Sequence, residues 1–341
     1  MAVAEEEEDD DAEGAGREIS FSRMQVESTN DTLVTEFELV GFLAVEDYAV
    51  LFFIFLLVIY LLILTANATI FFIIYTTPHL HIPMYFLIAV LAVLEVFYTT
   101  VTMPRILVDL LRSKKSISFS GCLLQIYFFH SLGISEACLL TAMAYDRYLA
   151  ICKPLNYASI MTTKLCCQLV LVCCLCGFAC PLSEIILTAW LPFCQSKHIN
   201  HIFCDFPPVI SLACTDITPN IVVDFSLHTV VIMVPVFLIL LSYTKILKVI
   251  LNIQNSEGRQ KAFSTCASHL TVVLIFFGTI SFMYMRLSWM TSVHYDRIIA
   301  VIYAFFVPLF NPIIYSLRNK EIWKVIQKMI ICPTPACSNN M

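Results

Sequence analysis

Glu95 and Glu136 each stand within a long apolar stretch, where an unpaired carboxylate is expensive. Both are expected to face a protein interior. If they approach one another, two bare carboxylates in a low dielectric must share a proton or hold a cation; the plainer alternative is that both are neutral and hydrogen-bonded. At the end of another apolar stretch Asp146 precedes Arg147. Asp146 offers a local carboxylate that can latch the arginine, whereas the simpler fate of Arg147 is to snorkel toward a polar boundary. A third group is Cys194, Cys204 and Cys214, spaced ten residues apart, with Cys122 at the start of an apolar run.

These residues need elements to position them, and composition indicates which. Apolar residues make up 59% of the chain and charged residues 13%, against roughly a quarter charged in a soluble domain. The bilayer is therefore the expected solvent. A helix needs about 20 mostly apolar residues to cross it. Such runs fall near 49–75, 83–110, 122–150, 164–190, 220–247, 262–286 and 297–317. The expected fold is an all-α membrane protein, a seven-helix bundle spanning 49–317, with an N-terminal segment 1–48 and a tail 318–341. Pro104 interrupts the second span, and Pro308 and Pro312 the seventh, which a membrane helix tolerates when neighbours satisfy the freed carbonyls.

Loop cations orient the bundle. With the N-terminus outside, inner segments hold Arg147, Lys153, Lys164, Lys245, Lys248, Arg259, Lys261, Arg318, Lys320, Lys324 and Lys328, while Arg112, Lys114 and Lys115 crowd one outer loop. Asn30-Asp31-Thr32 is an N-glycosylation acceptor ahead of the first span and fits the same orientation. Asn67-Ala68-Thr69 also matches but lies inside a span and is expected to be silent. Residues 1–23 carry nine acids and two arginines, so this segment is expected to be disordered, without a ligand role, and Met24 is an alternative start. The acidic opening lacks the pattern of a cleavable signal, leaving targeting to the first membrane helix.

The fifteen cysteines divide by place. Cys166, Cys167, Cys173, Cys174, Cys176 and Cys180 lie in or near the fourth span and read as small apolar packing residues. Four outer cysteines facing an oxidising compartment suggest two disulfides, Cys122 with Cys204 and Cys194 with Cys214. Zinc is the competing reading, helped by His198 and His201, although the spacing is looser than that of usual zinc-ligand pairs.

Motifs at the helix ends point to a family. The third span ends Met143-Ala144-Tyr145-Asp146-Arg147-Tyr148-Leu149-Ala150-Ile151-Cys152-Lys153-Pro154-Leu155, which closely resembles the olfactory receptor form of the Asp-Arg-Tyr motif. The second begins Leu80-His81-Ile82-Pro83-Met84-Tyr85-Phe86, and the sixth Lys261-Ala262-Phe263-Ser264-Thr265-Cys266-Ala267-Ser268-His269-Leu270. The seventh closes with Pro308-Leu309-Phe310-Asn311-Pro312-Ile313-Ile314-Tyr315-Ser316-Leu317-Arg318-Asn319-Lys320-Glu321. All resemble olfactory receptor signatures, in the family's order, from about Asn30 to Lys328. Leu94 to Thr100 further resembles the terrestrial-type branch, which implies airborne, fairly apolar odorants.

The resemblance implies a rhodopsin-like G-protein-coupled receptor that binds small volatile ligands and activates the olfactory stimulatory G protein, raising cyclic AMP. It assigns Asp146, Arg147, Tyr148, Tyr243, Asn311, Pro312 and Tyr315 to activation. By matching motifs, the pocket falls to Phe129, His130, Gly133 and Ile134 on the third span, Leu227 and His228 on the fifth, Phe277, Ile280 and Tyr284 on the sixth, and Ala304 on the seventh. His130 would donate to a ligand and Gly133 would leave room for its body; ordinary interior packing is the alternative for both. Phe277 stands where the family usually has tyrosine and Leu287 where proline is frequent, so the pocket is expected to favour apolar ligands. In related seven-helix receptors sodium sits near the position of Glu95, commonly an aspartate, so Glu95 and Glu136 resemble an allosteric ion site. No other cofactor and no nucleic-acid partner is expected.

The basic third inner loop, Lys245 to Lys261, would dock a G protein helix, although inner loops are commonly basic in any membrane protein. Beyond Tyr315, lysines alternate with Ile322, Trp323, Val325 and Ile326, as in a short amphipathic helix at the interface. A transporter would show internal repeats. An intramembrane enzyme would need a convergent acid–base set, for which Glu95, Glu136 and His269 are the only candidates. A receptor outside the olfactory family would lack the extended Asp-Arg-Tyr and Lys261–Leu270 motifs.

Overall fold

A computed structural model describes residues 35–41, 48–194, 197–285, 299–318 and 320–331. Asn30, Met24, the acidic segment, Arg286 and Leu287 lie outside the described residues. Among the described residues, seven helices are long and apolar enough to cross a membrane: Ala49–Thr76, Pro83–Leu111, Phe119–Cys152, Thr163–Ala189, Thr218–Leu251, Ser256–Tyr284 and Ile299–Ser316. The third and fifth, with 34 residues each, run about 51 Å at about 1.5 Å per residue. That exceeds a hydrocarbon core of about 30 Å, so their ends project beyond it.

The first span shows why lipid must surround the bundle. Val50, Leu51, Ile54, Phe55, Val58, Leu61 and Leu62 are exposed on it, an arrangement that water would penalise and acyl chains would not. The third span is its opposite: mostly buried, and packed against the second, fourth and fifth. Its contact with the fourth is close because Gly177 has no side chain. A Cβ at Gly177 would run into the Ser131 carbonyl and the Ser135 hydroxyl.

Pro104 and Pro312 are tolerated inside their helices, as expected, and the break falls at a proline that the sequence reading did not single out. The second helix continues through Pro104. The fourth span instead breaks at Cys180-Pro181 into Thr163–Ala179 and Leu182–Ala189, because Pro181 has no N–H to continue the ladder. Glu184 opens the second piece fully buried. The seventh span accommodates Pro308 by a π turn just upstream, Ile302–Phe306, in which the Val307 N–H bonds to the Ile302 carbonyl. Such turns add a residue to the helical repeat, and Tyr303 lies in this one, with its hydroxyl near Gly133.

The bundle also carries a small sheet that the all-α expectation omitted. Strands β1 (Glu36–Leu39), β2 (Ser116–Ser118) and β3 (His198–Ile199) lie in the order β2-β1-β3. Phe37 pairs antiparallel with Ile117, and Leu39 parallel with Ile199. Alternation sends Phe37 and Leu39 inward, onto a satellite core with Phe119 and Phe193. Burying each contributes about 1.5–3 kcal/mol relative to exposure in water. At the opposite end, the helix Lys320–Ile331 turns Ile322 fully inward, with Val325 and Ile326 against the main core, while Trp323 and Lys324 stay exposed.

Candidate functional site

Three polar centres are strung along the third span. The first is built around His130, two helical turns below Cys122. Cys122 is bonded to Cys204, with Cα atoms 5.4 Å apart, and Cys194 to Cys214 at 5.9 Å; these four cysteines are thus engaged as sulfur pairs. Gln125 reinforces the first bridge, accepting from the Cys204 N–H at 2.9 Å and donating to the Val101 carbonyl at 2.9 Å. The bridge thereby brings Asp205, the next residue in the loop, down onto the third helix.

There the two nitrogens of His130 meet two carboxylates: Nδ1 lies 3.0 Å from Glu184 Oε2 and Nε2 3.2 Å from Asp205 Oδ1. His228 adds a second ring 5.2 Å away, its Nδ1 at 3.0 Å from Asp224 Oδ1 and 3.6 Å from Glu184 Oε1. Tyr284 stacks on His228 at 4.1 Å and reaches Asp205 with its hydroxyl at 3.4 Å. Burial opposes the charge of Asp205. The His130 hydrogen bond and charge, the His201 charge and the Phe206 N–H outweigh that cost and hold Asp205 below its ordinary carboxylate value.

This arrangement alters the expected pocket. A cavity of about 20 Å³, room for roughly one water, is lined by His130, Gly133, Ile134, His228, Ile280 and Tyr284 together with Val231, Ile232 and Tyr303. Phe129, Leu227, Phe277 and Ala304 do not border it. Phe129 is instead packed among Tyr98, Phe203 and Tyr303, and Phe277 lies against Phe276. The Tyr303 hydroxyl takes up part of the space beside Gly133, since an added Cβ would come within 2.8 Å of it. His130 has both nitrogens engaged by acids, so it is not a free donor to a ligand. A larger groove of 680 Å³ lies between the third, fourth and fifth spans. Its walls are mainly apolar and hold none of this polar cluster.

The second centre joins Glu95 and Glu136, both buried. Asn311 donates to Glu95 Oε1 and, at 3.0 Å, to Glu136 Oε1. One amide thus bridges both acids, while Glu95 Oε2 has no hydrogen-bond partner. Two bare carboxylates on one amide would repel, so the pair is either protonated or accompanied by a cation. Asn67, in the acceptor-like tripeptide expected to be silent, is buried in the helix packing and donates to the Ile63 carbonyl at 3.0 Å.

The third centre lies at the other end. Arg147 clasps Asp146, Nη2 to Oδ2 at 2.6 Å, and Tyr157 donates to the remaining Asp146 oxygen at 2.7 Å. Burial and the Asp146 charge raise the Tyr157 hydroxyl above its ordinary value, keeping it a donor. Tyr243 does not touch this clasp through any observed hydrogen bond; it bonds to His269 Nδ1 at 2.9 Å. His269 Nε2 lies 3.1 Å from the Leu140 carbonyl. A carbonyl only accepts, so the ring hydrogen is on Nε2 and Tyr243 donates to Nδ1. The Tyr315 hydroxyl is buried with no hydrogen-bond partner, and Lys245 lies 5.4 Å over the Tyr148 ring.

The chain matches the family model described as "Olfactory receptor" over residues 56–332. It is an olfactory receptor family member. It is 48% identical over 305 residues to Olfactory receptor 6N1 of Homo sapiens, covering 89% of this chain and 98% of that one. It is 51% identical to Olfactory receptor 6K2 of Homo sapiens, covering 89% and 94%. With Olfactory receptor 6B9 of Mus musculus it shares 42% identity over 88% and 95%. These relatives are receptors and not enzymes, and the seven spans make this olfactory receptor a multi-pass membrane protein.

Glu184, Asp205, Asp224, Tyr157 and Gln125 escaped the sequence reading. Glu184 had a signal: an acid within an apolar span is a functional candidate by default. Asp205 adjoins a loop cysteine and Tyr157 follows the Asp-Arg-Tyr motif, but their partners are 75 and 11 residues away, beyond what spacing reveals.

Proposed function

We propose that this olfactory receptor binds small, largely apolar odorants among the third, fifth, sixth and seventh spans and activates the stimulatory olfactory G protein, raising cyclic AMP. It acts at the plasma membrane with its N-terminus outside, glycosylated at Asn30, and its C-terminus in the cytoplasm. The supporting observation is the vertical order of the three centres. A cavity lined by Ile134, Ile280 and Tyr284 lies above the Glu95–Glu136–Asn311 bridge, which precedes the Asp146–Arg147 clasp on the same helix.

In this reading an odorant enlarges the narrow cavity by displacing side chains of the sixth span, and the inner helix ends separate. Arg147 then leaves Asp146 for the G protein, which docks beside Lys245, Lys248 and Arg259, while Tyr243 and Tyr315 supply hydroxyls to the rearranged network. Pro312 lets the seventh span flex below Asn311. A sodium ion beside Glu95 and Glu136 would steady the resting state by offsetting their charge.

The test is cyclic AMP in cells expressing the receptor with the olfactory G protein, screened against a broad odorant panel beside Gly133→Leu, with surface staining of both. A leucine there must displace Tyr303 and fill the cavity. The expected result is a response in the parent that is lost in surface-positive Gly133→Leu. Equal responses would remove the pocket from this location.

A further inference from the structure

We propose that His130, Glu184 and His228 form a binding site for a divalent d-block cation, with zinc the ion their donor set fits. One donor atom from each residue lies within 4.8 Å of the others, and all three residues are buried. His130 Nδ1 lies 3.0 Å from Glu184 Oε2, near the roughly 3.4 Å between ligands that tetrahedral zinc bonds of about 2.1 Å impose; His228 Nδ1 donates to the Asp224 carbonyl at 3.0 Å, so His228 would offer the ion its Nε2.

The hydrogen bonding around these groups fits a metal better than packing alone. Asp205 takes its hydrogen bond from the Nε2 side of His130 and also accepts from the Phe206 N–H at 2.8 Å. A carboxylate on the non-ligating nitrogen is the usual outer partner of a metal-bound histidine: it fixes the tautomer and leaves the other nitrogen's lone pair free. In His130 that lone pair points at Glu184 Oε2. A neutral ring would set lone pair against lone pair, so a proton or a cation must lie between them. Glu184 Oε1 is fully buried and has no hydrogen-bond partner, an acceptor left over by the protein alone.

Two nitrogens and a carboxylate suit zinc or copper, whereas calcium and magnesium take six or more oxygens. Binding releases the proton shared by His130 and Glu184. Three protein donors leave a fourth position, and the small cavity lined by His130 and His228 is where water or a donor atom of a bound ligand would complete it. The ion would pin the upper piece of the fourth span, Leu182–Ala189, to the third and fifth spans. This inference does not rest on odorant signalling, because the binding is read on receptor alone.

The experiment is zinc titration of the purified, detergent-solubilised receptor, with the bound metal counted by mass spectrometry. His228→Ala, Glu184→Gln and, as control, His198→Ala are titrated in parallel. One saturable equivalent is expected in the parent and in His198→Ala, with affinity at least tenfold weaker in the other two. Copper electron paramagnetic resonance on the parent supplies a readout that needs no variant to fold: one bound equivalent should show coupling to two imidazole nitrogens. Absence of a saturable equivalent, parent-like affinity in both site variants, or a copper signal without two nitrogens would overturn the site.

Discussion

At the scale of single residues, the Asp146–Arg147 clasp is held by few atoms. Tyr157 donates to Asp146 while Arg147 occupies the other oxygen, so Tyr157→Phe removes one charge-assisted hydrogen bond worth about 1.5–3 kcal/mol. The expected outcome is higher cyclic AMP without odorant, by severalfold or more, at equal surface staining; unchanged basal signalling would separate Tyr157 from the clasp. Glu95→Gln should abolish any sodium dependence of activation, because it removes one of the two carboxyl groups on the Asn311 amide that could hold the ion. Sodium sensitivity retained in that variant would argue against an ion there. Asp205 has a lowered folded value, so its contribution to stability is complete above its unfolded value of about 3.9 and is lost as pH falls through the folded one. Asp205→Asn should therefore flatten the acid limb of Tm against pH below about 4, measured on solubilised receptor, and a limb as steep as the parent's would contradict the pairing with His130. Sequence made some of these residues legible and left others hidden for a physical reason. Arg147, Glu95 and Glu136 announce themselves because a charge in lipid is costly wherever its partner lies. The partners of His130 come from the fourth span and the loop after it, so a lone histidine reads as a ligand donor until Glu184 and Asp205 are seen to occupy it.

At the scale of elements, the apolar runs revealed the spans because lipid leaves a helix no other backbone partner. The small sheet stayed hidden: β1 has four residues, Glu36-Phe37-Glu38-Leu39, and gains its partners from loops 80 and 160 residues away in chain order. The break at Pro181 was likewise unread, since proline alone does not say whether a helix kinks or stops; Pro104 stands in an unbroken helix. The fit of third and fourth spans at Gly177 yields a direct prediction. Gly177→Val inserts bulk against the Ser131 carbonyl and should destabilise by about 1–3 kcal/mol, lowering the Tm of solubilised receptor. Gly278→Ala is the control, because an added Cβ there meets nothing within 4 Å. A Tm for Gly177→Val equal to that of Gly278→Ala would show the helices free to part.

At the scale of the whole molecule, the third span is the common wall of all three centres, and a loop disulfide fixes its first turn while the Asp146–Arg147 clasp marks its opposite end. Helices that expose apolar side chains, such as the first, can shift against lipid with little cost, whereas the buried third span must move with its polar partners. The account therefore stands on Arg147 as the point where odorant binding becomes an output. The direct measurement is cyclic AMP in cells bearing equal surface amounts of the parent receptor or Arg147→Ala, with an odorant that activates the parent. Arg147→Ala is expected to give a full surface signal and no odorant-driven cyclic AMP; a response equal to the parent's would show that Arg147 is not the output switch.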